Sequence, residues 1–421
     1  MAAAPAMARI VDVRARRLWD SRGSPAIEAE VVLKGARGRA IVPSAAAACA
    51  DGGGRARDAA RAVHSANTLI REALRGVDAR NQQAVDEKLI DLDGTADRSR
   101  LGADAIAAVS FACLRACAAA ARRPLWRHLA GEAPVALPVP QIQVWGGTAH
   151  GARCADLQGW MVVCTGAGSF ADCLEWSGEI YRAAGERLAR RGALAGVSDE
   201  GGWWAAFQSN EQAIEELVLA IADTGLEPGT DVAIALDVSA RRLWRDGRYH
   251  LRQEGVTLGR EAWLERLLAW CARYPIVSVE DPFARSDTEG LRAFVRAAGA
   301  RVQVVGGELY RSDATRLRAA ADAATAVRLV AGEAGTVTEA EACLEAARAC
   351  GLAPVAAGRC AETEDVLLVH LAVGWGIRQL KAGGFARSER MAKWNEALRI
   401  EEELGGRALP FPARRLFPPT A

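Results

Sequence analysis

Apolar and polar residues alternate in two segments near the start of the chain. Residues 8–13 and 26–33 follow this period of two, and a turn-rich stretch at 20–25 separates them. Because successive side chains of a strand point to opposite faces, this pattern predicts two β-strands. With a third short strand predicted at residues 39–42, the chain opens as a meander, and helical periodicity follows to about Leu129.

Beyond the prolines at 134, 138 and 140, short apolar runs alternate with helical segments. Runs of this length that end at breakers or charges are typical of buried parallel strands. The predicted strands are residues 161–163, 232–236, 276–279, 302–305, 326–330, 353–357 and 379–381, and helices such as 211–222 and 339–349 are predicted to cover them. Alternation over this length favours a closed (β/α) barrel, with an open doubly wound sheet as the alternative.

Charged residues stand where several of these strands end. They are Asp237, Glu280, Glu308, Arg359 and Lys381. An acidic residue after a strand is often only a helix cap, but the carboxyl ends of barrel strands meet at one mouth, so five of them favour a site. Neighbouring carboxylates suit Mg²⁺, which takes few protein ligands, and the two cations opposite would hold a small anionic substrate.

Composition narrows the possible functions. Half of the 421 residues are apolar, enough for a sizeable core, and the formal net charge of +1 gives no overall field to attract nucleic acid or an anionic membrane. The ten cysteines show no zinc spacing and no dense disulfide framework, which predicts reduced, buried thiols. No apolar run reaches the roughly 18 residues that span a bilayer, and no signal peptide pattern opens the chain, so we expect a cytoplasmic protein.

Several motifs carry a family resemblance. They are Asp20-Ser21-Arg22-Gly23-Ser24-Pro25, Leu92-Asp93-Gly94-Thr95, Leu101-Gly102-Ala103-Asp104-Ala105-Ile106, Asp199-Glu200-Gly201-Gly202, Ser278-Val279-Glu280-Asp281-Pro282-Phe283, Glu362-Thr363-Glu364-Asp365 and the tail from Ala386 to Leu404. Over nearly its whole length the chain resembles enolase, the glycolytic phosphopyruvate hydratase. The resemblance implies a smaller α+β domain at residues 1–135, an enolase-type (β/α) barrel at 136–421, Mg²⁺ dependence, and reversible dehydration of 2-phosphoglycerate to phosphoenolpyruvate.

The resemblance also implies roles for individual residues. In the family reaction a lysine removes a proton, metal ions stabilise the resulting dianion, and a glutamate protonates the departing hydroxyl. Glu200 matches the glutamate acid, and Asp237 and Glu280 match two of the three metal ligands. The substrate-binding positions are matched by Lys381 near the carboxylate, Arg359 on the phosphate, and His150 and Gln158 lining the pocket.

Other positions depart from the family pattern. Val330 stands in place of the proton-abstracting lysine, and Gly307 in place of the third metal aspartate, with Glu308 as a possible substitute one residue on. Further replacements are Gly159 for a pocket glutamate, Gly358 for a histidine, Cys360 for the phosphate-binding serine and Ala47 for a mobile-loop serine. Loss of a general base alone costs about 10²–10⁴ in rate. Small residues at these positions are expected to widen the cavity and lower its polarity.

Three functions therefore remain open. The first is a catalytically impaired or inactive enolase paralogue that binds a small anionic ligand or a partner. The second is a lyase acting on a different phosphorylated or carboxylated anion, with Glu200 or Cys360 taking over proton transfer or attack. The third is a weakly active phosphopyruvate hydratase.

A homodimer is the expected assembly. The resemblance places Glu28 opposite Arg399 and Arg16 opposite Glu402 across a two-fold interface, and all four charges are present. Since exposed ion pairs each contribute little, such an interface must also bury apolar surface.

Overall fold

The alternating segments at the start of the chain form a three-stranded antiparallel sheet in the computed structural model, which describes residues 8–43, 56–147 and 155–417. The strands are β1 (Ile10–Trp19), β2 (Pro25–Leu33) and β3 (Ala36–Pro43), in that order across the sheet. The predicted meander is thus confirmed, and its strands are longer than the sequence pattern indicates.

Helices cover one face of this sheet. They are α1 (Ala56–Ser65), a π-helical turn (Ala66–Ile70), α2 (Arg71–Leu74), α3 (Gln82–Asp93), α4 (Ala103–Ala120) and α5 (Leu125–Ala130). Helix α4 packs on β2 and β3, and the approach is so close that a Cβ atom at Gly38 would lie 2.1 Å from the backbone nitrogen of Ala116. By length and composition α4 could cross a membrane, but 72% of it is buried inside the protein, as is usual for a core helix.

The second half of the chain closes into an eight-stranded barrel. The barrel strands are β4 (Val139–Gly146), β5 (Gly159–Val163), β8 (Ala233–Asp237), β12 (Ile276–Glu280), β13 (Gln303–Gly306), β14 (Ala326–Leu329), β15 (Ala353–Ala357) and β16 (Gln379–Gly384). They pair in this order, and β16 pairs with β4 to complete the circle. The closed barrel is confirmed, and the open sheet is wrong.

Two barrel strands differ from the sequence prediction. Strand β4 was not predicted, because its Pro138 and Pro140 neighbourhood resembles a linker, yet Pro140 pairs in register with Leu380 at the barrel closure. Strand β5 runs antiparallel to both of its neighbours, where a uniform strand-and-helix repeat implies parallel pairing. Because Gly159 is opposite Asp237, β5 starts at the mouth where the other strands end, and this brings Gln158 to the site.

The remaining elements surround the barrel. Two small strand groups are β6 (Leu194–Val197) with β7 (Trp203–Ala205), attached beside β4, and a separate sheet of β9 (Trp244–Arg245), β10 (Arg248–Leu251) and β11 (Val256–Leu258). The helices are α6 (Phe170–Arg190), α7 (Asn210–Ala222), α8 (Arg260–Arg273), α9 (Thr288–Ala298), α10 (Ala314–Ala319), α11 (Ala331–Ala334), α12 (Val337–Ala349), α13 (Leu367–Gly374), α14 (Ser388–Leu404) and α15 (Ala413–Leu416), with 3₁₀ turns at Ala240–Arg242, Ala321–Ala323 and Gly405–Arg407.

Layers of inward-facing side chains fill the barrel. Val139, Ala233 and Val277 belong to an apolar cluster inside it. A layer of amides connects other strands, in which Gln379 Oε1 accepts hydrogen bonds of 2.9 Å from both Gln141 and Gln303. The charged side chains at the strand ends lie beyond these layers, at the carboxyl-terminal mouth.

Candidate functional site

A cavity of about 230 Å³ opens at the carboxyl-terminal mouth of the barrel. Eight cationic side chains and four carboxylates line it, so the cavity is positively charged. The cations are Arg241, Arg242, Arg285, Arg311, Arg328, Arg359, Arg390 and Lys381, and the acids are Glu200, Asp237, Glu308 and Glu333. The surplus of arginines favours an anionic ligand.

The centre of the site is a lysine shared by two carboxylates. Lys381 Nζ lies 2.6 Å from Asp237 Oδ2 and 2.6 Å from Glu280 Oε2. Both carboxylates are almost fully buried, at 5% and 2% exposure. Burial alone would lower the pKa of Lys381, but the two carboxylates outweigh it and raise that pKa above its ordinary value. The ammonium group therefore stays charged at neutral pH and cannot accept a proton.

A second cation at this centre was missed by the sequence analysis. Arg328 lies in β14, with Nη1 3.1 Å from Glu280 Oε1 and Nη2 3.7 Å from Glu333 Oε2. The neighbouring carboxylates keep its pKa above the ordinary value in spite of burial. A signal was present in the sequence, because an arginine in the middle of an apolar barrel strand must find a buried anion.

Glu308 does not join the two buried carboxylates. Its own carboxylate lies 3.0 Å from Arg241 Nε. The backbone N–H groups of Gly307 and Glu308 both donate to the side chain of Asp281, at 2.8 Å and 3.0–3.1 Å. Burial and the charge of Glu280 raise the pKa of Asp281 to about 8.

Glu200 also lines the cavity, where it belongs to a network of side-chain amides. Its two oxygens accept hydrogen bonds from Gln143 Nε2 at 3.0 Å and Gln158 Nε2 at 2.9 Å, and Arg242 donates to the amide oxygen of Gln158. Cys360 is next to Glu200, and burial together with that carboxylate raises the pKa of its thiol to about 12. At neutral pH the thiol is therefore protonated, which makes it a poor nucleophile.

Arg359 is held on a loop between β15 and α13. Its Nη1 donates to the carbonyl of Pro43 at 3.2 Å and its Nη2 to that of Gly332 at 2.5 Å, so it links the two halves of the chain. Its Nε is buried and has no hydrogen-bond partner among the described residues. Arg359 lines the cavity, at the position predicted to bind phosphate.

Lys393 and Arg390 of α14 bind the loop that carries Arg359. Lys393 Nζ lies 2.9 Å from Glu362 Oε2 and donates to Thr363 O at 2.6 Å, while Glu362 Oε1 accepts the Arg359 N–H at 2.7 Å. Arg390 donates to the carbonyls of Arg359, at 2.9 Å, and Cys360, at 2.5 Å. Although burial would raise the pKa of Glu362, the charge of Lys393 keeps it lowered.

Polar groups lie close to two glycines at positions that depart from the family pattern. A Cβ at Gly159 would lie 2.7 Å from the Gln143 amide nitrogen, and one at Gly358 would lie 2.9 Å from Glu362 Oε1. Neighbouring polar groups thus lie close to both glycines, and the expected widening and loss of polarity stay predictions. Val330 lines the cavity. His150 and Ala47 lie outside the described residues.

Two domain-family models match this chain. The family described as "Enolase, N-terminal domain" matches residues 10–129, and "Enolase, C-terminal TIM barrel domain" matches residues 134–414. The chain belongs to the enolase family. Enolases are generally Mg²⁺-dependent.

The residues at the mouth of this enolase-family barrel do not fit a magnesium ion as they are arranged. All four oxygens of Asp237 and Glu280 accept hydrogen bonds, one of them from Ser239 Oγ at 2.8 Å and the others from Lys381 and Arg328. Across residues 8–43, 56–147 and 155–417, no group of three or more His, Cys, Asp or Glu side chains is arranged to hold a metal.

Replacing Lys393 with methionine should destabilise the barrel strongly. The change leaves Glu362 buried without a countercharge, which costs about 3–5 kcal/mol, so the urea midpoint followed by tryptophan fluorescence should fall. The matched control is the double variant Lys393→Met/Glu362→Gln, which should recover most of the loss. Equal stability of the single and double variants would contradict the role given to this pair.

Proposed function

We propose that this protein binds a small phosphorylated or carboxylated anion in the barrel mouth and is impaired or inactive in the family's dehydration of 2-phosphoglycerate. The observation that carries the proposal is the state of Lys381. It is the lysine that lines the described cavity, and two carboxylates keep it protonated. With valine at 330, the described lining offers no neutral amine to remove a proton from carbon.

The surplus positive charge supports anion binding. Arg285 and Arg311 line the cavity and are exposed, and neither guanidinium forms an ion pair with a residue of the described chain. Together with Arg359, which also lines the cavity, they provide positive charge for phosphate or carboxylate oxygens.

A lyase reaction on another anion remains the second candidate. The support for it is Glu200, which two glutamine amides orient within the cavity, so one acid–base group remains in place. Attack by Cys360 is less favoured because its thiol stays protonated at neutral pH.

With millimolar Mg²⁺, no phosphoenolpyruvate should form from 2-phosphoglycerate above background. The reason is the missing base, whose loss costs about 10²–10⁴ in rate, combined with the missing metal ligand. The measurement is the absorbance of phosphoenolpyruvate at high protein concentration. A Glu200→Ala variant, purified identically, controls for a contaminating enolase. Turnover that disappears in this variant would contradict the proposal and indicate a hydratase with another base.

Arg311→Ala and Arg285→Ala should each weaken anion binding by about tenfold, since a hydrogen bond to a charged group contributes roughly 1.5–3 kcal/mol. The measurement is calorimetric titration with 2-phosphoglycerate and with inorganic phosphate. Arg301→Ala is the matched control, because Arg301 is exposed at the opposite, amino-terminal end of β13 and should leave affinity unchanged. Equal losses in all three variants would mean that the anion does not occupy this cavity.

We also propose the family's two-fold dimer. Within one protomer Arg16 already lies 2.5 Å from Glu28, and Arg399 lies 2.8 Å from Glu396, so the four proposed interface charges would have to share partners. Sedimentation velocity at micromolar concentration should give a species of twice 44.6 kDa. A 44.6 kDa species alone would contradict the dimer.

A further inference from the structure

Arg328 is a largely buried cation of the mouth that no family role accounts for. Its side chain is 19% exposed, and its Nη1 takes the Glu280 oxygen that Lys381 leaves free. The two cations therefore divide one carboxylate between them, and Lys381 also holds Asp237. Two fixed positive charges thus balance the two buried negative ones without any ion from solution, and the Glu333 carboxylate lies 3.7 Å from the same guanidinium.

We propose that the Arg328 guanidinium takes the position beside Glu280 that a divalent cation would need, so that this barrel binds its anion without a metal. This inference rests on the proposed function, because it names the group that supplies the positive charge at the same site. It makes Arg328 a specificity-determining residue of the cavity.

The limited space beside Gly307 supports the proposal that Arg328 takes the place of a metal ion. A Cβ placed there would lie 2.7 Å from Asp281 Oδ2, 3.1 Å from Arg328 Cζ and 3.1 Å from Glu280 Oε1. The nearest of these atoms belongs to Asp281, and at 3.1 Å both Arg328 and Glu280 would have to shift by a few tenths of an ångström to admit even a Cβ. An acidic side chain at 307 would therefore crowd the guanidinium, and this chain combines glycine at 307 with arginine at 328.

The charges at the site independently support the exclusion of a metal ion. A guanidinium does not lose its proton in proteins, so Arg328 cannot make way for an ion by becoming neutral. An entering divalent cation would meet this charge and that of Lys381 while both still hold the carboxylate oxygens. Magnesium also requires near-octahedral oxygen ligands at about 2.0–2.1 Å, which these oxygens could offer only after their present hydrogen bonds break.

Arg328 is also accessible to a ligand. It lines the cavity, and its side chain is 19% exposed. Glu308, another acid that lines the cavity, is already paired with Arg241. An anion entering the mouth would thus meet the charge of the guanidinium where a metal-dependent site would present its ion.

Two titrations of the unmodified protein test the inference. Mn²⁺, followed by its electron paramagnetic resonance signal, should show no binding up to millimolar concentration. Calorimetric titration with 2-phosphoglycerate or inorganic phosphate should give the same affinity in EDTA as in millimolar Mg²⁺. Micromolar Mn²⁺ binding, or an affinity that EDTA abolishes, would overturn the inference.

Variants then test whether a carboxylate at position 307 can take the place of the Arg328 guanidinium. Arg328→Leu should weaken anion binding by at least about tenfold, while Arg328→Lys, which keeps a charge, should lose less. The double variant Arg328→Leu/Gly307→Asp places a third carboxylate in the vacated space and should gain Mn²⁺ binding. A double variant that is folded by circular dichroism and binds no Mn²⁺ would overturn the exchange, and if it fails to fold, the titrations of the unmodified protein decide.

Different results would contradict anion binding and the role of Arg328. If the unmodified protein binds no anion under any condition, the proposed function is wrong, and the Mn²⁺ titrations still decide whether Arg328 excludes the metal. If it binds anions only with a metal, the proposed function stands and the role of Arg328 is wrong.

Discussion

Burial of two carboxylates at the carboxyl-terminal mouth of the barrel is the constraint on which the rest of the site depends. Removing each such charge from water costs on the order of several kcal/mol unless a countercharge is close. Here the countercharges are covalently part of the protein, since Lys381 and Arg328 come from other strands of the same barrel. The cluster is therefore complete as folded, without an added ion.

The substituted positions follow from the same need for compensation. A Cβ at Gly159 would lie 2.7 Å from the Gln143 amide nitrogen, and one at Gly307 would lie 2.7 Å from Asp281 Oδ2 and 3.1 Å from Arg328 Cζ. Gln143 is hydrogen-bonded to Glu200, and Arg328 to Glu280. Paired polar groups therefore lie beside both glycines.

The amino-terminal sheet contributes to this mouth directly. The carbonyl of Pro43 at the end of β3 accepts from Arg359, the Ser21 N–H donates to Glu362 O at 2.8 Å, and Arg115 of α4 lies 2.6 Å from Asp365. Together with Lys393 and Arg390 below, these contacts hold the loop after β15 from both sides. A ligand on Arg359 would therefore be sensitive to the packing of both halves of the chain.

The sequence by itself determined the meander, most barrel strands and the residues at their ends, because period-two alternation and short apolar runs are local signals of burial. It also placed Asp237, Glu280 and Lys381 at one mouth, because parallel strands end together. Only the tertiary structure decided that β5 runs antiparallel, that Pro140 lies inside a strand, and that Glu308 pairs with Arg241. It also decided that Arg328 and Gly307 belong to one arrangement. The reason is that ion pairing and steric exclusion across a barrel depend on strand order and register, and residues far apart in the chain carry no local signal of either.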